Sequence, residues 1–333
     1  VALALRIVKR PQDTNYRAMN TDTRTTSIGH VLITGGTGFI GTALAGRLLR
    51  LGTRVSVLTR NRARAQTHFS GRVTALESMR EIDAAQAPEV IVNLAGKNLG
   101  EERWTEAVKR QLVASRVDVT QQVIDYIAAN AASRPRLLIS GSAVGYYGAR
   151  GDERLDETAL AGEEYQSQLC QRWEQTATKA NEYGVRVCIS RTGVVLGRDG
   201  GALAGLAPLF RLGLGAVAGS GTQWIAWVHM HDLLNLFLRF MQDGSLSGAF
   251  NNTAPRPVTN SEFSRAIGRA LHRPVLLRSP GWAMRLLYGE MAHLYLTGQR
   301  VIPARHLEAG FVYRYPDIDS ALEDALGVLP GHA

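Results

Sequence analysis

Between Val31 and Gly41 the chain reads VLITGGTGFIG, and this stretch restricts the fold more than any other. A short apolar run ends in three glycines spaced three apart, Gly35, Gly38 and Gly41. The residues from Gly38 to Leu51 then carry apolar positions at helical spacing. A strand that runs into a tight glycine turn and a helix is the opening half of a βαβ unit. Such a turn leaves helix N–H groups unpaired, with a partial positive charge in front of them, and this suits a phosphate. Gly35 permits the turn, Gly38 lets a pyrophosphate approach the backbone, and Gly41 lets the helix pack on the strand.

The alternation continues. HVLITG (30–35), RVSVLTR (54–60), RVTALES (72–78), EVIVNLAG (89–96), RPRLLISGSA (134–143) and VRVCISRTG (185–193) read as strands, and GAFNNTA (248–254) predicts a further strand returning to the sheet. Helical stretches lie between them, the long ones running from about Trp104 to Ala131 and from Glu163 to Tyr183. This order predicts an α/β fold, a Rossmann-type doubly wound parallel sheet with a small C-terminal substrate lobe. Residues 30–200 with about 225–254 form the expected dinucleotide-binding domain, and 201–224 with 255–329 the expected lobe. Residues 1–29 read as an N-terminal extension with little structure of its own. Within it Val1–Ala18 precede Met19, and the sequence leaves open which of Val1 and Met19 is the true start.

Composition narrows the function. With 45% apolar and 20% charged residues, the 333-residue chain has material for a large core. The net charge of +9 is spread along the chain, without a basic block interleaved with aromatics. Nucleic acid is therefore not an expected partner. Cys170 and Cys188, the two cysteines, make neither a zinc site nor a disulfide framework, and they fit a reducing cytoplasm. No stretch reaches the ~18 uncharged apolar residues of a membrane helix.

The GxxGxxG spacing of TGGTGFIG resembles the short-chain dehydrogenase/reductase superfamily in its extended and atypical branches. NLAG (93–96), SGSAVGYYG (140–148), RTGVVLG (191–197) and WVHMHD (227–232) follow in the order of that superfamily's landmarks. Together with LCQRWE and GQRVIPARHLEAGF they are similar to epimerase-family proteins of the atypical branch that carry an additional uncharacterised C-terminal domain. The resemblance covers about Gly29 to Leu329. It implies a nicotinamide dinucleotide whose pyrophosphate meets Gly35, Thr37, Gly38, Phe39, Ile40 and Gly41. It further implies that Asn93, Leu94, Ala95 and Gly96, with Arg191 and Gly193, border the cofactor, and that the substrate is a small molecule, with sugar nucleotides as one class. A monomer or homodimer is expected.

The residues themselves choose the dinucleotide. An acid after the second strand would accept bonds from the ribose hydroxyls of NAD. Here the segment reads LTRNRAR, with Thr59, Arg60 and Arg62 and no acid. A guanidinium forms paired, charge-assisted bonds with a 2′-phosphate, so NADP(H) is the expected cofactor.

Active relatives use a Ser, and a Tyr and Lys four apart on one helix. Ser142 fits the serine. Tyr165 is the tyrosine candidate, but Leu169 stands four residues on with Cys170 beside it. Tyr165, Leu169 and Trp173 also form an i, i+4, i+8 stripe of the kind that packs a core. Tyr147, or Tyr146, stands as a substitute phenol, and Arg191 as a nearby charge. His229, His231 and Asp232 lie too close together to make a metal site without a remote carboxylate, so no metal is expected, and Asp232 reads as the cap of a helix from Leu233. Gly200–Gly221 with Gln223, Trp224 and Trp227 would shape the substrate side. Two functions stay open: epimerase-like or reductase-like hydride transfer, and a non-catalytic NADP(H) sensor or binding module.

Overall fold

A computed structural model describes residues 28–198 and 200–327; the expected extension before Ile28, and the end of the expected lobe at 328–329, lie outside the described residues. Seven parallel strands form one sheet: β1 (His30–Thr34), β2 (Arg54–Leu58), β3 (Thr74–Leu76), β4 (Val90–Asn93), β5 (Leu137–Ala143), β6 (Arg186–Thr192) and β7 (Gly248–Asn252). Their spatial order is β3-β2-β1-β4-β5-β6-β7. The chain winds outward from β1 to β3, crosses back to β4, and winds the other way. A topological switch point therefore falls between β1 and β4, where Thr34 lies beside Asn93 and Asn93 beside Ser140.

The central strands β1, β4 and β5 are apolar on both faces over most of their length, as a sheet covered on two sides requires. Val31, Ile33, Val90, Val92, Leu137 and Ile139 pack toward α1 (Phe39–Arg50) and a later helix, whose Leu233, Phe237 and Phe240 share that cluster. Leu32, Ile91, Leu138, Val187 and Ile189 face the other layer. Between these come α2 (Arg62–His68), α3 (Glu106–Val113), α4 (Val119–Ala129), which supplies Val123, Ile124 and Ile127 to the second layer, and α5 (Tyr165–Thr178). The helix expected over 104–131 is not uniform: Ala114–Asp118, joining α3 to α4, is a π-helical turn.

The glycine-rich stretch after Gly200 contains α6 (Gly201–Arg211), which buries Leu203, Ala207 and Phe210. Glycines at its start, at Gly205 within it and again from Gly213 obscure the helical spacing. α7 (Met230–Gln242) is the later helix of the first layer, and α8 (Asn260–Ala270) packs with α6 and the helix Ile318–Ala325 in a separate core around Trp227. The C-terminal segment is tied back to the sheet at β7. Arg305 donates to Ala249 O (2.6 Å) and Ser247 O (2.9 Å), and buried His306 bonds Asn252 through Nε2 (2.8 Å). Among the described residues no helix is long and apolar enough to cross a membrane.

Candidate functional site: a crevice with two unlike ends

The site lies at the carboxyl ends of β1, β4, β5 and β6. At the β1 end the backbone does the work. Gly35 has φ +66°, and a Cβ there would lie 2.7 Å from Leu94 O, so no other residue fits. A Cβ on Gly41 would overlap Gly35 O, which is why α1 can start so close to the strand. Gly38 is the N-cap of α1 and caps it with no side chain, and Thr37 and Gly38 are exposed. The first turn of α1 thus presents N–H groups outward, as a phosphate cradle must. Phe39 turns its ring away from that cradle to pack beneath Gly197, Gly200 and Gly201.

At the end of β2, Arg60 is exposed and bonded to no side chain among the described residues. Arg62 is already paired with Glu81, and its backbone N–H donates to Glu77 Oε1 (3.1 Å). Asn61 caps α2 by accepting from Arg64 N, and Thr59 Oγ1 accepts from Asn61 N. The arrangement exposes one guanidinium just beyond β2, the strand paired with β1; the residues that follow β2 contain no acid, and the nearby Glu77 carboxylate is taken by Arg62 N. It fits a 2′-phosphorylated dinucleotide.

Asn93 is fully buried and spends its amide inside the protein. Its Oδ1 accepts from Thr34 Oγ1 (2.6 Å) and its Nδ2 donates to Thr120 Oγ1 (2.7 Å), tying β1, β4 and α4 together. Leu94, Ala95 and Gly96 carry the chain from there along the crevice. Gly193 is where the backbone at Ala226 passes, since a Cβ would lie 2.6 Å from Ala226 O.

The β5–β6 end is built of side chains bonded to one another. Ser142 Oγ donates to Glu174 Oε1 (2.6 Å), and Glu174 also receives Arg191 Nε (2.9 Å) and Nη2 (2.8 Å). Arg191 Nη1 donates to Tyr147 OH (3.0 Å), which in turn donates to Asn251 Oδ1 (2.7 Å). The guanidinium of Arg191 lies 3.5 Å from the ring centre of Tyr146. Burial depresses the Arg191 pKa, but the bonds and charge of Glu174 outweigh it and hold it above its ordinary value. Burial pushes the Tyr147 phenol up to about 12, against the opposing pull of Arg191.

Tyr147 is therefore sealed in, with no exposed surface. Tyr165 lies in a different place. Its ring packs against Trp104 with Leu169 and Met291 nearby, its hydroxyl donates to Lys109 O (3.1 Å), and burial raises its pKa. The face of α5 that meets Ser142 is one residue further round: Gln166 against Gly145, Cys170 beside Ala143 and Ser142, and Glu174. Cys170 is a neutral thiol there, its pKa pushed to about 11 by burial and then by Glu174. Sequence spacing alone does not set that register, because Tyr165 offers the only aromatic hydroxyl on the helix.

Two further residues escaped the sequence reading. Glu174 has a signal, an acid on the face that repeats every four residues from Gln166. Arg116 has none; it is brought in by the π-helical turn. Asp232 does not cap α7, as the sequence had suggested. His229 does, accepting from His231 N, while the Asp232 carboxylate holds the backbone N–H groups of Arg314 and Tyr315, both at 2.9 Å. Among the described residues no group of three or more His, Cys, Asp or Glu is placed to hold a metal.

Comparison with known proteins adds an independent line. Residues 31–251 match the model of the NAD-dependent epimerase/dehydratase family, and 279–325 match a domain of unknown function, DUF1731. An Arabidopsis thaliana protein named epimerase family protein SDR39U1 homolog, chloroplastic, is 41% identical over 88% of this chain and 85% of its own length. The Mycobacterium leprae epimerase family protein ML0860 is 39% identical over 89% of this chain and 95% of its own. A crystal structure of human epimerase family protein SDR39U1 with NADPH superposes with a TM-score of 0.81 at 33% identity, covering 90% of this chain and 100% of that one. UDP-glucose 4-epimerase of Thermotoga maritima, with UDP-glucose, shares the fold at 16% identity with a TM-score of 0.71, over 90% of this chain and 97% of its own.

Proposed function

The chain belongs to the NAD-dependent epimerase/dehydratase family, and from that premise we propose that it binds NADP(H) and acts as an epimerase-like or reductase-like hydride-transfer protein on a small molecule. One observation carries the cofactor reading: a glycine cradle flanked by an unpaired, exposed Arg60, with no acid at the end of β2. Gly35, Thr37, Gly38, Phe39, Ile40 and Gly41 form the pyrophosphate turn, and Thr59 and Arg60 meet the 2′-phosphate. Leu94, Ala95 and Gly96 border the nicotinamide half, while Asn93, Arg191 and Gly193 support that border from behind. The human relative crystallised with NADPH supports this reading.

NADP(H), when bound, supplies the hydride acceptor or donor. What the chain adds there differs from the family's Ser–Tyr–Lys pattern. The Ser142 hydrogen is directed to Glu174, so its oxygen faces a ligand as an acceptor. Gln166, a neutral amide, moves no proton, and a thiol with a pKa near 11 is a poor acid or base at neutral pH. These residues favour a second reading, in which the protein binds NADP(H) and a small ligand without turnover. The two buried, free cysteines fit a cytoplasmic location, although the plant relative is named chloroplastic.

Calorimetric titration with NADPH and NADH comes first. Tight NADPH binding that Arg60→Ala weakens selectively supports the cofactor assignment; equal binding of both nucleotides overturns it. Loss of the NADPH absorbance in single-turnover mixtures with simple carbonyls, or its appearance when the NADP+ form is mixed with UDP-glucose, abolished in Ser142→Ala, separates hydride transfer from the sensor reading.

A further inference from the structure

Two buried arginines flank α5, and only one has a counter-charge. Arg191 is held by Glu174. Arg116 is 9% exposed and meets no carboxylate within ion-pair distance among the described residues. Its Nη2 donates to Lys97 O (2.9 Å), and its Nη1 to Leu112 O (3.3 Å) and Ser115 Oγ (3.4 Å). Among the described residues no acceptor takes Nε. A Cβ on Gly96 would lie 3.1 Å from Cζ, 3.2 Å from Nη2 and 3.4 Å from Nε, so the missing side chain is what lets the loop lie against the guanidinium. The centre of the Trp173 ring lies 5.4 Å from Cζ, and Nε, without a partner, is not fully sealed. Burial lowers the Arg116 pKa, and the groups opposing that shift, Cys170 and Tyr165, are neutral.

A buried cation without a counter-ion is costly, and a neutral amide would tie the same carbonyls at lower cost. The helix is also distorted to place it. The π-helical turn Ala114–Asp118, a deformation that recurs at functional sites, aims Arg116 and Ser115 at one loop, and Ser115 Oγ accepts from Lys97 N (3.0 Å). That loop leaves β4 at the switch point, where Leu94 O abuts Gly35. The guanidinium thus stands between the cofactor cradle and the face of α5 that carries Cys170.

We infer that Arg116 recognises a carboxylate on the substrate, so that the small molecule this crevice accepts is an acid. The inference rests on the crevice being a ligand site beside bound NADP(H). A monoanion balances the one unpaired charge. A phosphate dianion would leave a net negative charge in a pocket with no second free cation among the described residues near Arg116.

The test uses the full chain saturated with NADPH, with cofactor binding verified by calorimetry for every variant. Lactate and glucuronate are then titrated, with lactamide and inorganic phosphate alongside. Binding of the two carboxylates but not lactamide, weakened at least tenfold in Arg116→Gln and partly recovered in Arg116→Lys, is the expected result. Gly96→Ala, whose methyl must displace the guanidinium, weakens the same ligands if Arg116→Gln fails to fold. Carboxylates that do not bind, or that bind Arg116→Gln equally well, overturn the inference, and so does binding of phosphate alone. If NADPH fails to bind, the cofactor reading falls by itself, and the carboxylate titration of the free protein still decides the role of Arg116.

Discussion

The proposed site has a phosphate end made of backbone and a proposed reaction end made of side chains. At the first, missing Cβ atoms and unpaired N–H groups form the site, and its polar groups face outward. At the second, Ser142, Glu174, Arg191, Tyr147 and Asn251 satisfy each other in a buried chain of bonds. A site whose donors point outward is ready for a ligand. A site whose donors point at one another holds the fold first and serves a ligand only through what remains, the acceptor face of Ser142 and the open edge of Arg116.

Glu174→Ala is the strongest way to break this contrast. It removes the acceptor of Ser142 and strands Arg191, whose side chain is 6% exposed. Breaking a buried pair from one side costs about 3–5 kcal/mol. Urea denaturation should show that loss, while the preference for NADPH over NADH stays as it was. A loss under about 1 kcal/mol, the scale of a surface pair, would show that the network is not holding the fold.

Arg60→Ala should do the reverse. A hydrogen bond to a charged group contributes about 1.5–3 kcal/mol, so NADPH should bind roughly 10- to 100-fold more weakly. NADH binding and the urea midpoint should not move, because Arg60 is exposed and touches no partner. Equal loss for both nucleotides would place the side chain on the pyrophosphate instead.

These two ends also differ in how far the sequence discloses them. The phosphate end is local: strand, three glycines and helix lie within Val31–Leu51, and the second-strand arginine follows closely. At Gly35 and Gly41 the requirement is met by glycine alone, so residue type and spacing carry it. The inner strands were legible as buried apolar runs set off by turns, and β3 and β7 by their place in the alternation. The reaction end joins residues from β5, α5, β6 and β7, with Ser142 and Asn251 far apart in sequence. Its register on α5 depends on how the helix is rotated against β5, which put Gln166 and Cys170 where Tyr165 and Leu169 had been expected. Arg116 depends on a π-helical turn that no spacing announces.

Acid should act at the reaction end before the other. His306, stacked on Phe250 and bonded to Asn252 next to the Tyr147 acceptor, is held neutral, with burial pulling its pKa down to about 3. His229 shifts in the same direction, also chiefly by burial. A depressed folded-state pKa means that the unfolded chain takes up the proton first, at its ordinary value near 6.5. For His306 the stabilisation is therefore complete above about pH 6.5 and is lost as pH falls from there toward 3, at about 1.4 kcal/mol per pH unit, and His229 adds in the same direction. Urea midpoints at pH 7.5 and 5.5 should differ accordingly. His306→Gln should reduce the slope by about one proton, and an unchanged slope would assign the acid sensitivity elsewhere.

The smallest effect concerns Tyr165, the phenol that family spacing singles out and the structure turns aside. Its hydroxyl makes a single bond, to Lys109 O, within a cluster that includes Trp104 and Met291. Tyr165→Phe keeps the ring and its packing and removes that one bond, a loss of about 0.5–1.5 kcal/mol. Leaving Lys109 O without its donor is tolerable because the carbonyl belongs to a helix and has a second lone pair. NADPH binding and any single-turnover oxidation should be unchanged. If Tyr165→Phe instead abolished turnover with stability intact, α5 would have to rotate by about 100° (one residue of an α-helix) during the reaction. The reaction end would then be a resting arrangement that opens, and the contrast between the two ends would be one of state and not of design.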